Sequence, residues 1–439
     1  MTTQSTNFTA WRWRSALGFV LVALLAVGVR AAYALSMDPG ALAWEDEREF
    51  DRIGWRLAQT GQYESSAYRA TPALPAFLAL VYWAFGHNYT AVRIAQALLA
   101  GVLVLAVAGS TATFFDRRTA HLAALGTALY PPLIYLSSVL YAEFLFAVLL
   151  SLEVLCLARW QVAQRLPWLL GAAMLMGMGA LCRPVFLAFV PLAAVYVWWR
   201  AKHKRGALWA AGLVSGVVLV ILPWTTRNAV VFRHFVPIST GFGLQLWRGN
   251  NEMALGNADD RHLMPLNSIW SARAIRLSGD GGREELEASA QQLEADLAKM
   301  DEVEGDRRLA AEGWRWLRGH PARFWVNTGH RLGTLYSAFT TMITKNEIAS
   351  RHNEFLAVAS FYPVLILGLV GVVGALRWNK ASVVLHAVIA AMTLVYLPMT
   401  ACTRFRLPID VLWIALASVA VRMMLLGPHS RPQPDRRSS

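Results

Sequence analysis

The chain has 439 residues, of which 56% are hydrophobic and 16% charged, with a formal net charge of +13. That much apolar sequence exceeds what separate water-soluble cores would bury, and it points to an integral membrane protein. The basic residues sit largely beside apolar segments, which assigns them to lipid headgroups and topology rather than to a nucleic acid.

In chain order, Arg12 and Arg14 precede a first apolar stretch at 16–37. Its apolar part, about 20 residues, is longer than a signal-peptide core of roughly 7–15, so it is expected to remain as an uncleaved anchor despite the cleavage-like Ala32-Tyr33-Ala34. The acidic, aromatic run Trp44 to Phe50 follows, placing Glu45, Asp46, Glu47 and Glu49 within a few positions, with Asp51 directly after. Carboxylates crowded at a membrane surface repel one another and favour proton capture, so the run is a candidate site for proton abstraction or cation binding.

Further apolar runs near the roughly 17–25 residues needed to cross a bilayer fall at 90–114, 119–136, 139–159, 167–182, 184–200, 207–223, 354–376, 381–398 and 407–426. With the first stretch this predicts an all-α polytopic protein of about ten transmembrane helices. Basic pairs then alternate to one side: Arg12 and Arg14, Arg117 and Arg118, Arg159 and Arg165, Arg200 to Arg205, Arg377 and Lys380, and Arg436 and Arg437. By the positive-inside rule that side is cytoplasmic, and both termini share it. Pro72 to Gly86 is apolar but shorter, and a crossing there would invert every later basic cluster. It is read as an interfacial or re-entrant helix on the outer face.

Residues 1–427 are expected to form a single membrane domain with two outer loops, at about 38–89 and 224–353, and a disordered cytoplasmic tail at 428–439. In the second loop, Glu284 to Arg318 has helix-forming composition with Leu286, Leu293, Leu297 and Met300 as its apolar stripe. His320 to Phe339 reads as an amphipathic helix on the membrane surface. Arg30 and Glu153 are expected as structural groups inside the bundle. Cys156, Cys182 and Cys402 lack a CxxC spacing, and no HExxH occurs, which argues against a disulfide framework or a structural zinc site.

The candidate chemistry collects at one face. Asp46 and Glu47 lie in the first loop, and Glu143 lies near the outer end of the fourth span. Arg183 sits at the turn between spans five and six, Arg227 and Asn228 follow the seventh in LPWTTRN, and Arg404 and Arg406 precede the tenth in TRFRLP. Ionisable groups at that depth are costly unless paired or used. Arginines there suit phosphate, which they bind through paired hydrogen bonds.

The run Asp46 to Tyr63 (DEREFDRIGWRLAQTGQY) resembles the first-loop signature of the glycosyltransferase C superfamily. The resemblance continues through Arg69 to Gly86, Ser137 to Phe146, Leu181 to Pro184, Pro223 to Thr240, Leu246 to Asn251 and Arg404 to Asp410. It is nearest to the bacterial protein mannosyltransferase-like group, which includes lipid A aminoarabinose transferases. Phe50 stands where a Tyr is common, and no soluble domain follows the last span. The resemblance implies a polyprenyl-phosphate sugar donor, a glycan, lipid or protein acceptor, and inverting transfer on the outer face of a bacterial inner membrane. Asp46 matches the family's catalytic aspartate, as a base on an acceptor hydroxyl or as an orienting group for an acceptor phosphate. Glu47 and Glu143 are its expected partners, and Arg183, Arg227, Asn228, Arg404 and Arg406 the expected substrate-binding residues. No metal ligand set is assigned, and a divalent metal is left open as cofactor. The competing readings are a multi-span transporter or flippase of a lipid-linked or small anionic substrate, and a polysaccharide polymerase or ligase. Transporters place their sites near the midplane, often between repeats, whereas here the charge lies at the outer rim.

Overall fold

The computed structural model describes residues 3–42, 44–63, 71–202, 205–251, 254, 292–338 and 351–426, and every regular element among them is helical. The chain is an all-α protein of the polytopic membrane class. Each of the ten expected apolar segments forms helix, but not each as one unbroken rod.

The first segment is α1 (Thr3–Leu35). The segment expected as the first outer loop carries two helices, α2 (Glu45–Thr60), closed by Gly61 in the left-handed region, and α3 (Ala73–Phe85). At 13 residues, α3 measures about 20 Å, short of a hydrocarbon core of about 30 Å. It packs on α2 so closely that a Cβ at Gly54 would meet Leu78 Cβ at 2.7 Å. Asp51 pins the pair from below: its carboxylate accepts from Tyr82 and lies against His87, both at 2.7 Å, and accepts from Tyr89 at 3.1 Å.

Polar caps start the next two helices. Asn88 accepts the Ala91 N–H to begin α4 (Tyr89–Phe114), and Asp116 accepts the Thr119 N–H to begin α5 (Arg117–Leu129). The expected span at 119–136 breaks at Tyr130, because Pro131 bars the residue before it from helical backbone and itself has no N–H to give. A separate short helix, α6 (Pro131–Leu136), follows the break. Then come α7 (Ala142–Ala163) and α8 (Leu166–Cys182). The segment expected at 184–200 opens as a 3-10 turn (Pro184–Phe189) before α9 (Val190–Arg200), and α10 (Gly206–Phe232) follows.

The segment expected as the second outer loop contributes α11 (Phe242–Gly249), α12 (Glu302–Gly319) and α13 (Pro321–Leu335). The helix expected over 284–318 is interrupted. Residues 292–297 are helical, the chain then turns, and Asp301 starts α12 by accepting from Val303 and Glu304, each at 2.9 Å. The part at 284–291, with Leu286, lies outside the described residues, as do Phe339 and the tail. The bundle closes with α14 (Arg351–Trp378), a 3-10 turn (Lys380–Ser382), α15 (Val383–Tyr396) and α16 (Thr403–Leu426).

By length and composition, five helical stretches among the described residues suffice to cross a membrane: Ala16–Leu35, α4, α10, Phe355–Trp378 and α16. Burial sorts them. The most apolar windows of α4 and α16 are 61% and 67% buried, while those of α1, α10 and α14 are 17–22% buried. The core is therefore α4, α5, α7 and α16, and the other three present apolar side chains outward. Arg30 is fully buried and donates to Ala128 O at 2.7 Å and Thr127 O at 3.1 Å, tying α1 to α5. Glu153 is fully buried in α7.

The turns gather at opposite ends. Asn379, after α14, donates to Phe114 O at 2.9 Å, and Arg422 near the end of α16 pairs with Asp116 at 3.2 Å. The α4–α5 turn, the α14–α15 turn and the close of α16 thus share one end of the bundle. The starts of α2, α7 and α16 share the other.

Helix α13 is built inside out. Asn327, Arg331 and Leu335 face the protein, while Trp325, Val326 and Leu332 face away. Arg331 donates to Leu397 O at 2.6 Å, to Gly249 O, and to Asn250 Oδ1 at 3.0 Å. Asn250 in turn donates to Pro398 O at 2.6 Å, and Thr400 donates to Gln245. These bonds fasten the second outer loop onto residues 397–400, the link that leads into α16.

Candidate active site

Among the described residues, four charged side chains from four parts of the chain meet at the end of the bundle opposite the α4–α5 turn. Asp46 comes from the first turn of α2 and Glu143 from the first turn of α7. Arg183 comes from the link after α8, and Arg404 from the first turn of α16. Arg404 Nη1 donates to Asp46 Oδ2 at 2.8 Å. Its Nε lies 2.9 Å from Glu143 Oε1, an ion pair without the alignment of a hydrogen bond. Arg183 Nη1 donates to the same Glu143 oxygen at 2.8 Å, and its Nη2 to the Tyr396 hydroxyl at 3.0 Å.

Aromatic rings back the two arginines. Arg404 lies over Tyr141, 4.4 Å from the ring centre, and Arg183 over Phe405 at 4.8 Å. Both contacts fall within the range of a cation–π attraction. Burial opposes the charge of Arg183, but Tyr396 and Glu143 outweigh it and its pKa rises above the usual arginine value. Both arginines therefore stay charged, each with a guanidinium of the planar kind that recognises phosphate. The two carboxylates differ. Glu143 is 2% exposed and Asp46 35% exposed. Glu143 is set into the bundle, and Asp46 faces its rim.

The remaining expected residues are placed apart. Glu47 is buried behind Asp46 with both oxygens taken by backbone: Oε2 accepts the Trp44 N–H at 3.1 Å, and Oε1 the Leu140 N–H at 2.8 Å. It anchors the acidic run to the start of α7. Arg406 is likewise not at the cluster. It is 2% exposed, pairs with Asp410 at 2.9 Å, and donates to Leu335 O and Ser337 O at 3.1 and 3.0 Å. Arg404 and Arg406 stand two residues apart on a helix turning about 100° per residue, so they point to nearly opposite sides. Asn228 is fully buried and donates to Val236 O and Ile238 O, which folds the chain back after α10. Arg227 sits among Trp224, Tyr63 and Phe232 at 4.9–5.6 Å from the ring centres and donates to Asn228 Oδ1 at 3.1 Å. The end of the first loop thus meets the end of α10 in an arginine-centred aromatic cluster built from different elements.

Three residues of the arrangement were not singled out from the sequence. Tyr396 and Tyr141 flank the arginines, and Arg93 holds the first loop through Asp38 O, Ala41 O and Ser138 O at 2.8–3.2 Å. The available signal was an arginine in the first turn of an otherwise apolar span. As for a cation, His234, Asp301 and Glu304 have ligand atoms within 4.8 Å of one another in the second outer loop. Asp301 already caps α12 there. Asp46 and Glu143 are engaged by arginines, which does not suit them to hold a metal.

Residues 69–225 match the family described as dolichyl-phosphate-mannose-protein mannosyltransferase. That stretch carries Glu143 and Arg183 and leaves Asp46 and Arg404 on either side. No curated protein matches the chain. Among solved structures, the apo oligosaccharyltransferase of Archaeoglobus fulgidus is similar with a TM-score of 0.55 and 14% identity. The likeness covers 94% of this chain and 51% of that one, so the chain spans about half the length of that relative. The same enzyme, AglB, in complex with an inhibitory peptide and a dolichol-phosphate gives 0.54 at 14% identity, over 95% and 51% of the two chains. ArnT from Cupriavidus metallidurans, bound to undecaprenyl phosphate, is a looser likeness at 0.41 and 15% identity, over 94% and 78%. The oligosaccharyltransferase likeness shows the fold. The resemblance expected from the short motifs is borne out, and the enzyme class it implied, glycosyltransferase, is that of the matching family.

Proposed function

We propose that the protein is an inverting membrane glycosyltransferase. It moves a sugar from a polyprenyl-phosphate donor to an envelope glycan, lipid or protein acceptor on the outer face of a bacterial inner membrane. The observation that carries the reading is the 2.8 Å contact between Asp46 and Arg404 at the rim of the bundle, with Arg183 beside it. Acid and arginine are the two kinds of group the reaction needs. A sugar hydroxyl is a poor nucleophile, and a carboxylate within hydrogen-bond reach takes its proton as it attacks the anomeric carbon. The bond from that carbon to the phosphate oxygen breaks, and the leaving phosphate gathers negative charge that fixed guanidinium groups stabilise. The polyprenyl phosphate stays in the lipid, which agrees with a site at the membrane rim. Ten crossings with both termini cytoplasmic put that rim outside.

The test is transfer by the purified protein in lipid nanodiscs, supplied with polyprenyl-phosphate sugars and an envelope extract as acceptor. Wild-type protein transfers sugar, and Asp46→Asn, which keeps shape and loses charge, falls by about 10²–10⁴ in rate. Equal rates in the two proteins would remove Asp46 from the chemistry. Transport of the lipid across the bilayer without transfer would replace the reading with a flippase.

A further inference from the structure

We infer that Tyr141 is a further catalytic residue, whose hydroxyl donates a hydrogen bond to the phosphate of the sugar donor beside Arg404. The inference rests on the functional reading above and adds a residue to it. Tyr141 directly precedes α7 on extended backbone, and its side chain takes no part in capping that helix. Its neighbours fix the place of the ring. The Leu140 N–H on one side donates to Glu47 at 2.8 Å, and Ala142 O on the other accepts from the Cys182 thiol at 3.2 Å. The Trp44 ring lies 6.4 Å away, and the Arg404 guanidinium lies over the Tyr141 ring, 4.4 Å from its centre. The residue is 3% exposed.

Other tyrosine hydroxyls at this end of the bundle are committed. Tyr82 and Tyr89 donate to Asp51, Tyr130 donates to Asp410, and Tyr396 accepts from Arg183. Tyr141 Oη has no hydrogen-bond partner among the described residues, and it is not sealed into the bundle as Tyr196 Oη is. A buried phenol usually finds a partner for its hydroxyl. Tyr141 lies within electrostatic reach of Arg404, Asp46, Glu143 and Glu47, so the partner it suits is one that arrives in the cluster. Arg404 draws an anion to that place, and an anionic oxygen is a strong acceptor for a phenol. As the glycosidic bond breaks, its electron pair passes to the phosphate oxygen and the phosphate gains charge. The hydrogen bond from Tyr141 strengthens with that charge, so it favours the transition state over the bound donor. The hydroxyl keeps its own proton throughout, and the proton leaving the acceptor goes to Asp46. Arg404 differs in that its charge attracts the phosphate before and during the reaction alike.

The experiment compares wild type with Tyr141→Phe, which deletes the hydroxyl and leaves the ring against Arg404, as full-length proteins in nanodiscs. With a polyprenyl-phosphate sugar, kcat should fall about tenfold to a hundredfold, at the low side of the roughly 10²–10³ lost with an enclosed oxyanion donor, while the KM for the sugar donor stays close to wild type. Affinity for undecaprenyl phosphate, which carries the charge of the leaving group, should fall about tenfold, the worth of a hydrogen bond to a charged group. A merely structural role would lower the denaturation midpoint and move KM together with kcat. That result, or a wild-type kcat in the variant, overturns the inference and leaves the functional reading standing. No transfer by the wild-type protein overturns the functional reading and the inference with it. If the variant does not fold, protein carrying fluorotyrosine at position 141 decides. Its fluorine resonance should move as undecaprenyl phosphate saturates the site, and an unmoved resonance overturns the inference.

Discussion

Arg183 and Arg404 share a single oxygen of Glu143, at 2.8 and 2.9 Å, although one arginine follows α8 and the other begins α16. The buried carboxylate is what allows two guanidinium groups to sit together at the rim. Its removal should be felt first in stability. Breaking a buried pair while leaving its partner charged costs about 3–5 kcal/mol, so Glu143→Gln should unfold at clearly lower denaturant in detergent. A second substitution, Arg183→Gln, removes one of the stranded charges and should recover part of the loss. Stability unchanged by Glu143→Gln would show that the arginines find other counter-ions.

Arg406 is predicted to be structural. Its pair with Asp410 lies 1% and 0% exposed within α16. Arg406→Ala should therefore cost about 3–5 kcal/mol, while Arg406→Met with Asp410→Leu, which removes both charges and fills the space, should stand close to wild type. Denaturation of the three proteins checks it. A stable Arg406→Ala with lost undecaprenyl phosphate binding would return Arg406 to the phosphate site.

The acidic run and the arginine-bearing helix starts were legible because each is a local anomaly: charge where apolar sequence ought to continue. Which of Arg404 and Arg406 faces the cluster was not legible, because that depends on how α16 is rotated against α5 and α7. Glu47 and Asp46 are adjacent in sequence, and the Leu140 N–H that anchors Glu47 comes from a distant segment. Arg331 lies in the stretch that reads as an amphipathic helix on the membrane surface. The carbonyls that draw it inward, at Gly249 and Leu397, come from distant segments. The break at Tyr130 was visible in its two prolines, yet the run around it was apolar enough to pass for one span.

Asp301 supplies a pH-dependent contribution outside the membrane. Its pKa lies below the ordinary aspartate value of 3.8, chiefly through the Glu304 backbone N–H and then through His234. A carboxylate with a depressed folded pKa stabilises above its unfolded value and loses that contribution as pH falls through the folded one. The start of α12 should therefore fray on acidification below about pH 4. Hydrogen exchange at Val303 and Glu304, compared with Asp301→Asn across the same pH range, tests this. In the variant that pH dependence should vanish.

The shared ends of the bundle constrain the expected topology. Reporter fusions after Arg118 and Arg205 should read cytoplasmic, and one after Arg233 should read external. The Asn379–Phe114 and Arg422–Asp116 contacts require the α4–α5 turn, the α14–α15 turn and the close of α16 to lie on one side. A fusion after Lys380 must therefore agree with the one after Arg118. An external signal at Arg205 would make α3 a crossing.

The inside-out build of α13 bears on modularity. Its polar side chain Arg331 is satisfied by carbonyls of the bundle, and its tryptophan and valine face away from the protein. Excised with its loop, the helix would present Trp325 and Val326 to water and leave Arg331 without Leu397 O. The inward face would then lose the carbonyls that satisfy it. The segment that carries α13 is thus not a cassette that evolution or an engineer can move to another scaffold, and it changes by residue exchange in place while the bundle beneath stays the same.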